Sequence, residues 1–255
     1  MTNPVHFDPA IGAEFIRYAH RLAARGYVHN TLGNMVMRTP HTDFPHGVAY
    51  TKHAGISLEE MGIENIVMTD VPTSRLLYGS RTTSVGHNLS REILRLRSDI
   101  NAVIHVHDDA TIAFFGAGYD EVKVISLDMP IILGKHPHYV PGNVNVETDV
   151  ATVKDFVHDT NLIVLVGHGV TAYGRTISEA YHRLNSFTSE VRRNIEAETL
   201  AAVTGKPPAY RSRAEVELMH RHADAIINPT RAENVMRQDD MRQDDVPPAR
   251  KTAAE

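Results

Sequence analysis

The chain has 255 residues, no cysteine and a formal net charge of −5, with its basic residues scattered along the sequence. The length suits one large domain, the lack of cysteine excludes disulfides and thiolate chemistry, and the charge pattern excludes a nucleic-acid footprint. No apolar run reaches the roughly eighteen residues of a membrane span, and no signal-peptide pattern opens the chain. We therefore expect a cytoplasmic protein that binds neither membrane nor nucleic acid.

Hydrophobic periodicity predicts helices and strands throughout the first half of the chain. Asp8 and Pro9 are a suitable N-cap and first helical residue for an amphipathic helix over 7–25. A turn at 30–34 leads into strands, which are predicted up to Met37 and over 48–51, 65–69 and 75–78. Thr83 and Ser84 are predicted to cap a helix over 85–96.

The second half begins with a short apolar strand over 102–106. Asp108 is predicted to cap a helix through Phe115. The remaining predicted elements are a strand over 121–127, a loop over 134–142, a helix over 150–157, a strand over 162–166, a long helix from 177 and a helix over 213–227. Residues 1–228 are predicted to form one domain. Residues 229–255, which repeat MRQDD, are predicted to be a disordered tail.

The strongest chemical signal is a pair of histidines at the end of the strand over 102–106. His105 and His107 are spaced by one residue, so in a strand their rings point to the same face. A second apolar strand, over 162–166, ends in Gly-His-Gly around His168, where the glycines let backbone and ligand approach closely. An unpaired ring would be costly to bury at such a place. His105, His107 and His168 are therefore predicted to bind one transition-metal ion.

These histidines lie in segments whose order and spacing resemble the class II aldolase/adducin family over about residues 10–205. Residues 97–107, RSDINAVIHVH, resemble its R-x-D-x-x-A-V-x-H-x-H pattern. Residues 167–180, GHGVTAYGRTISEA, resemble its N-H-G-x-x-x-x-G-x-x-x-x-E-A pattern. Residues 31–38, TLGNMVMR, resemble its S-x-G-N-x-S-x-R pattern.

The resemblance implies an α/β fold of three layers, α/β/α, with a central and largely antiparallel sheet. It also implies a homo-oligomer, usually a tetramer with sites between subunits. Gly33 and Asn34 would form a loop that holds a substrate phosphate or carboxylate on backbone N–H groups. Thr51 and Lys52 would line the substrate pocket, where Lys52 could pair with a substrate carboxylate or remain solvated. Ser84 is a further expected substrate contact.

One residue of the family pattern is missing. Its P-S-S-E motif supplies a glutamate that acts as metal ligand or base, and the ungapped position here is Gly86. The adjacent His87 is predicted to take over that role, since a neutral imidazole can ligate a metal or act as a base near pH 7. The alternative is an exposed histidine on the first helical turn. Tyr139 and His138 are candidates for the tyrosine that, in aldolases of this family, assists proton transfer from a neighbouring subunit.

Three protein ligands leave coordination positions open for a substrate with two adjacent oxygens, whose carbonyl the metal would polarise. Aldol cleavage, decarboxylation and epimerisation all use that step. Adducin head domains share the fold without the metal ligands, so the three histidines argue against a non-enzymatic role.

The absent glutamate argues against the aldolases within this family. Residues 27–34 and 82–87 resemble a branch of iron-dependent oxygenases from aminocoumarin antibiotic pathways. The favoured hypothesis is therefore an Fe(II) enzyme that uses O2 to convert a small aromatic acid, a prenylated 4-hydroxyphenylpyruvate or 4-hydroxymandelate, to a 4-hydroxybenzoate. The alternatives, with Zn(II) or Mn(II), are a non-oxidative decarboxylase of a hydroxylated aromatic carboxylate and a class II aldolase.

Overall fold

Residues 5–227 are described by the computed structural model, and their backbone is organised around one eight-stranded sheet. The tail predicted from residue 229, its MRQDD repeat and the domain boundary at 228 lie outside the described residues. The strands are β1 (Asn34–His41), β2 (Phe44–Lys52), β3 (Ile66–Asp70), β4 (Leu76–Tyr78), β5 (Ala102–Val106), β6 (His138–Val140), β7 (Leu162–Leu165) and β8 (Gly169–Gly174).

The strand order is β4-β3-β2-β1-β5-β8-β7-β6, which places β5 at the centre of the sheet. Every neighbouring pair is antiparallel except β6 and β7. In β5, His105 lies opposite Asn34 of β1 on one side and Thr171 of β8 on the other. The expected largely antiparallel sheet is thus confirmed.

Helices cover both faces of the sheet. They are α1 (Pro9–Ala24), α2 (His87–Leu96), α3 (Asp109–Gly116), α4 (Asp128–Leu133), α5 (Ile177–Thr204) and α6 (Arg213–Ile227). Apolar residues of α1, α3, α4 and α5 share one core with alternate strand residues, whereas α2 and the 3-10 helix Val150–Asp155 cover the opposite face. The three-layer α/β/α prediction is confirmed. No helix among residues 5–227 is long and apolar enough to cross a membrane.

The strand predicted over 121–127 is wrong, because side chains of α5 satisfy the backbone of this segment instead of a neighbouring strand. The Glu190 carboxylate accepts hydrogen bonds from the backbone N–H groups of Ile125 and Ser126. The Asn194 amide pairs with both the N–H and the carbonyl of Lys123, at 3.1 and 2.7 Å.

Three further predicted elements differ in detail. The helix expected over 150–157 is the shorter 3-10 helix already described, and the predicted loop over 134–142 contains β6. Helix α2 begins at His87 behind Gly86, without a side-chain cap, so Thr83 and Ser84 do not start it. Asp8 and Asp108 do accept the predicted capping hydrogen bonds, from Ala10 and Thr111.

Candidate metal centre

The central strand and a neighbouring turn bring the three predicted histidines together. His105 is the fourth residue of β5, His107 follows the strand directly, and His168 lies in the turn between β7 and β8. A Cβ at Gly169 would collide with the carbonyl of Val106 and lie 3.3 Å from the His105 ring. A glycine is therefore required for this turn to approach the end of β5, and that approach places His168 beside the other two rings.

The three rings face one another at distances suited to a shared cation. Their centroids are 4.7 to 5.1 Å apart, and one nitrogen of each ring lies within 4.8 Å of the others. The Nε2 atoms of His105 and His107 are 3.1 Å apart. If both carried lone pairs toward each other with nothing between them, they would repel, whereas a bound cation converts both into ligands.

Burial favours the neutral form of His105 and His107, which is the form that binds a metal. Desolvation lowers the pKa of His105 well below its ordinary value, and the neighbouring His107 and His168 act in the same direction. Burial, with smaller contributions from His168 and His29, lowers the pKa of His107 to about 4. The donor set therefore fits a divalent transition metal.

The second ring nitrogen of His105 has a defined partner. Its Nδ1 atom lies 2.9 Å from the hydroxyl of Thr171 on β8, and both side chains are buried. When Nδ1 carries the proton and donates it to that hydroxyl, the Nε2 lone pair remains free. Thr171 thus orients His105 toward the cluster.

A carboxylate that the sequence interpretation missed also reaches the cluster. Glu147, in the loop between β6 and the 3-10 helix, places Oε1 3.8 Å from His105 Nε2 and Oε2 3.7 Å from His168 Nε2. Burial raises the pKa of Glu147, and the neighbouring His168 acts in the opposite direction. No local sequence motif identifies Glu147 as a site residue. The only indication in the sequence was that the family pattern expects a metal-site carboxylate and that Gly86 cannot supply it.

His87, the predicted substitute for the glutamate, is buried rather than exposed. Its Nε2 lies 3.1 Å from the Thr69 hydroxyl of β3, and its Nδ1 has no hydrogen-bond partner within residues 5–227. Burial, followed by repulsion from Arg91, lowers the pKa of His87 to about 3. The participation of His87 in the site stays a prediction, and the hydrogen-bond contact of its ring is with Thr69 of β3.

The predicted substrate loop borders the cluster. Gly33 has a φ of +77°, and a Cβ there would lie 3.0 Å from the carbonyl of His105. Asn34 is buried, and its Oδ1 accepts a hydrogen bond from the Ser90 hydroxyl of α2 at 2.9 Å. Ser84 is half-buried, and its carbonyl accepts the backbone N–H of His87 at 3.1 Å.

Thr51 and Lys52, at the end of β2, are both buried. The Thr51 hydroxyl donates to the carbonyl of Met35 at 3.0 Å. The Lys52 ammonium donates to the carbonyls of Thr31 and Ile56, at 2.6 and 2.7 Å, and burial lowers its pKa to about 8. Lys52 therefore ties two loops together, and the alternative of a solvated lysine is wrong, because its side chain is buried. Binding of a substrate carboxylate stays a prediction.

His138 and Tyr139 alternate across β6, at the sheet edge three strands from β5. The His138 ring stacks on Phe156, with centroids 3.9 Å apart, and burial lowers its pKa. The Tyr139 hydroxyl accepts the backbone N–H of Val122 at 3.1 Å, and burial raises its pKa. The structure does not bring these two side chains to the histidine cluster within one subunit, and their role across subunits stays a prediction.

The sheet, its two helix layers and the three clustered histidines define a class: α/β/α proteins with a candidate metal site at the end of a central strand. Residues 13–192 match the family described as the class II aldolase and adducin N-terminal domain. The chain therefore belongs to the class II aldolase and adducin family.

Curated relatives cover most of the same region. An L-fuculose phosphate aldolase of Methanococcus maripaludis is 27% identical over 171 residues, which are 66% of this chain and 87% of the relative. A methylthioribulose-1-phosphate dehydratase of Klebsiella pneumoniae is 26% identical over 184 residues, which are 68% of this chain and 88% of the relative. Both similarities support an enzyme of the class II aldolase family.

Solved structures share the fold at lower identity. An aldolase II superfamily protein from Pseudomonas syringae aligns with a TM-score of 0.71 and 18% identity, covering 86% of each chain. An L-fuculose 1-phosphate aldolase from Glaciozyma antarctica aligns with a TM-score of 0.69 and 14% identity, covering 92% of this chain and 97% of that one.

Proposed function

We propose that the protein is a divalent-metal lyase of the aldolase type, which breaks a carbon–carbon bond next to the carbonyl of a small hydroxy-carbonyl compound. The observation that carries this proposal is the cluster of His105, His107 and His168, whose ligand atoms lie within 4.8 Å of one another. Membership of the family and a relative named as an aldolase support this reaction. A relative named as a dehydratase supports the broader class of lyases, since loss of water breaks a carbon–oxygen bond instead.

The three histidines of the cluster differ in their exposure to solvent, which indicates how a reactant reaches the metal site. His105, whose side chain is 2% exposed, anchors the centre from inside, while His168, at 36%, borders solvent. A reactant therefore approaches from the His168 side. A divalent cation on the three rings would supply a Lewis acid that polarises a carbonyl chelated through an adjacent oxygen. The buried amide of Asn34, opposite His105, limits the space on the inner side.

The iron-dependent oxygenase favoured from the sequence has no support among the relatives. That hypothesis depended on the absence of a carboxylate at position 86 and on the resemblance of residues 27–34 and 82–87 to the oxygenases. Glu147 now places a carboxylate within 4 Å of two of the histidines, so the first of these reasons for leaving the aldolases no longer holds. The expected metal changes with the reaction. Zn(II) or Mn(II) suits a lyase, whereas Fe(II) was expected only because the oxygenase reaction requires it.

Metal reconstitution tests the reaction class. Metal-free protein would be loaded with Zn(II), Mn(II) or, anaerobically, Fe(II), and incubated with phosphorylated and unphosphorylated hydroxy-carbonyl compounds. We expect metal-dependent aldehyde release without oxygen uptake. His168→Ala should abolish it, whereas His182→Ala, at an exposed histidine on α5, should not. Oxygen consumption in step with loss of a 4-hydroxyphenylpyruvate, or turnover that survives complete metal removal, would overturn the proposal.

A further inference from the structure

We infer that Glu147 supplies a carboxylate ligand to the cation held by the three histidines, so that the metal-site carboxylate of this chain comes from the loop after β6. The inference rests on the metal centre proposed above, and it does not depend on the reaction or its substrate. The helix position that precedes His87 carries no side chain at all, because it is Gly86.

The distances fit a shared metal. Ligand atoms bonded at about 2.1 Å in a tetrahedral arrangement lie about 3.4 Å from one another. The two carboxylate oxygens of Glu147 lie 3.8 Å from His105 Nε2 and 3.7 Å from His168 Nε2, and the His105 and His107 Nε2 atoms are 3.1 Å apart. The carboxylate therefore faces His105 and His168 through one oxygen each, whereas the group of ligand atoms that all lie within 4.8 Å of one another is formed by the three histidines without it. A small movement of the Glu147 side chain is needed to bring one oxygen onto the shared cation.

Glu147 occupies the space that a side chain at position 86 would need. A Cβ built on Gly86 would lie 2.6 Å from Glu147 Oε1 and 2.8 Å from Asn34 Nδ2. Real Cβ atoms essentially never approach other atoms under 3.0 Å. A side chain at position 86 would therefore require the ends of the Glu147 and Asn34 side chains to move, so the Glu147 carboxylate lies where the first atoms of a residue 86 side chain would be.

The loop that carries Glu147 is fixed from both sides. Val146 is 1% exposed and packs into the core between α2 and the sheet. On the other side of the loop, Asn88 in the first turn of α2 reaches the carbonyl of Glu147, and Asn145 accepts its backbone N–H at 3.1 Å. Anchoring the residue before it in the core directs the Glu147 side chain toward the start of α2 and the histidine cluster.

No positively charged lysine or arginine side chain among residues 5–227 balances the charge of Glu147. Within residues 5–227 its carboxylate accepts no hydrogen bond and forms an ion pair with no lysine or arginine; its partners are His105 and His168. Its side chain is only 14% exposed, and a half-buried carboxylate without a cationic side chain beside it is costly. A divalent cation between the carboxylate and the rings removes that cost, and the start of α2 favours negative charge nearby.

Metal affinity tests the inference without reference to activity. The full chain would be titrated with Zn(II) and Mn(II) against a chromogenic chelator. Glu147→Gln, which keeps the size of the side chain, should weaken the Kd by about 10- to 100-fold. Glu196→Gln, at an exposed position on α5, is the matched control and should leave the Kd unchanged. Circular dichroism and urea unfolding establish that both variants are folded.

A relocation experiment adds a gain of function. Gly86→Glu combined with Glu147→Ala should recover most of the lost affinity, whereas Gly86→Ala with Glu147→Ala should not. Equal Zn(II) affinity of wild type and Glu147→Gln would refute the role of Glu147 while leaving the three-histidine site standing. Failure of the wild type to bind either metal would instead remove the metal centre, and with it the proposed lyase. If the variant with Gly86→Glu and Glu147→Ala binds metal no more tightly than the variant with Gly86→Ala and Glu147→Ala, the idea that positions 86 and 147 can supply the same ligand is refuted.

Discussion

Replacing Thr171 by valine tests how the fold prepares His105 for a metal. Valine has nearly the same shape but cannot bond to His105 Nδ1, which now lies 2.9 Å from the threonine hydroxyl. Because Thr171 is fully buried and His105 is 2% exposed, water does not replace the lost partner. Two outcomes are open to the ring. Its Nδ1–H loses the hydroxyl acceptor and keeps only the backbone hydrogen bond to Val170, which costs about 1 kcal/mol, or the proton moves to Nε2 and occupies the lone pair that the metal needs.

Both outcomes weaken metal binding. Loss of an orienting partner behind a metal ligand typically lowers affinity by about 10- to 100-fold, equivalent to about 1.4–2.7 kcal/mol. Competition with a chelator measures this directly, and urea unfolding of the metal-free protein measures the change in stability. Thr188→Val is the control, since the buried Thr188 hydroxyl bonds to Tyr27 and to the Leu184 carbonyl, away from the cluster. It should lose about 1 kcal/mol of stability and no metal affinity. Wild-type affinity in Thr171→Val would refute the orienting role.

Two further predictions concern stability. The pKa of His87 is lowered to about 3, against about 6.5 in an unfolded chain, so between these values the unfolded state binds a proton that the folded state does not. The free energy of unfolding should therefore fall as pH falls below 6.5, and His87 should account for a loss of about 2 kcal/mol at pH 5. In His87→Gln, the difference between the free energies of unfolding measured in urea at pH 7 and at pH 5 should be smaller by that amount. An unchanged difference would contradict the lowered pKa of His87. Arg97→Met should cost at least about 2 kcal/mol in urea unfolding, because the carbonyls of Val157 and Thr160 lose their donors at 2.8 and 3.1 Å. Arg95→Met, which breaks only an exposed pair with Glu92, should change stability by less than about 1 kcal/mol, and equal losses in the two variants would contradict the buried role of Arg97.

The parts of the fold that follow local rules were predictable from the sequence. The apolar run before His105 is a strand, the alternation within it puts both histidines toward the same face, and Asp8 and Asp108 are N-caps. The segment over 121–127 was not predictable, since its backbone is paired by Glu190 and Asn194 of α5, about seventy residues later. Periodicity reports which side of a segment is buried, and it does not report which groups satisfy its hydrogen bonds.

The residues of the candidate site also divide into those that were predictable from the sequence and those that were not. Histidines fixed at strand ends keep their positions because the sheet register determines where they point. His105 and His107 could therefore be selected from their spacing, and His168 from its place between two glycines at the end of an apolar strand. A carboxylate can reach the same cation from any loop long enough to approach it, since the metal constrains the oxygen atoms and not the chain that carries them. Gly86 therefore does not by itself show that the site lacks a carboxylate, because the carboxylate of Glu147 lies beside it. Comparing motifs position by position overlooks such an exchange, and it led from a missing glutamate to an oxygenase. Asking which residue fills the space beside Gly86 leads to Glu147, 2.6 Å from the Cβ that glycine lacks.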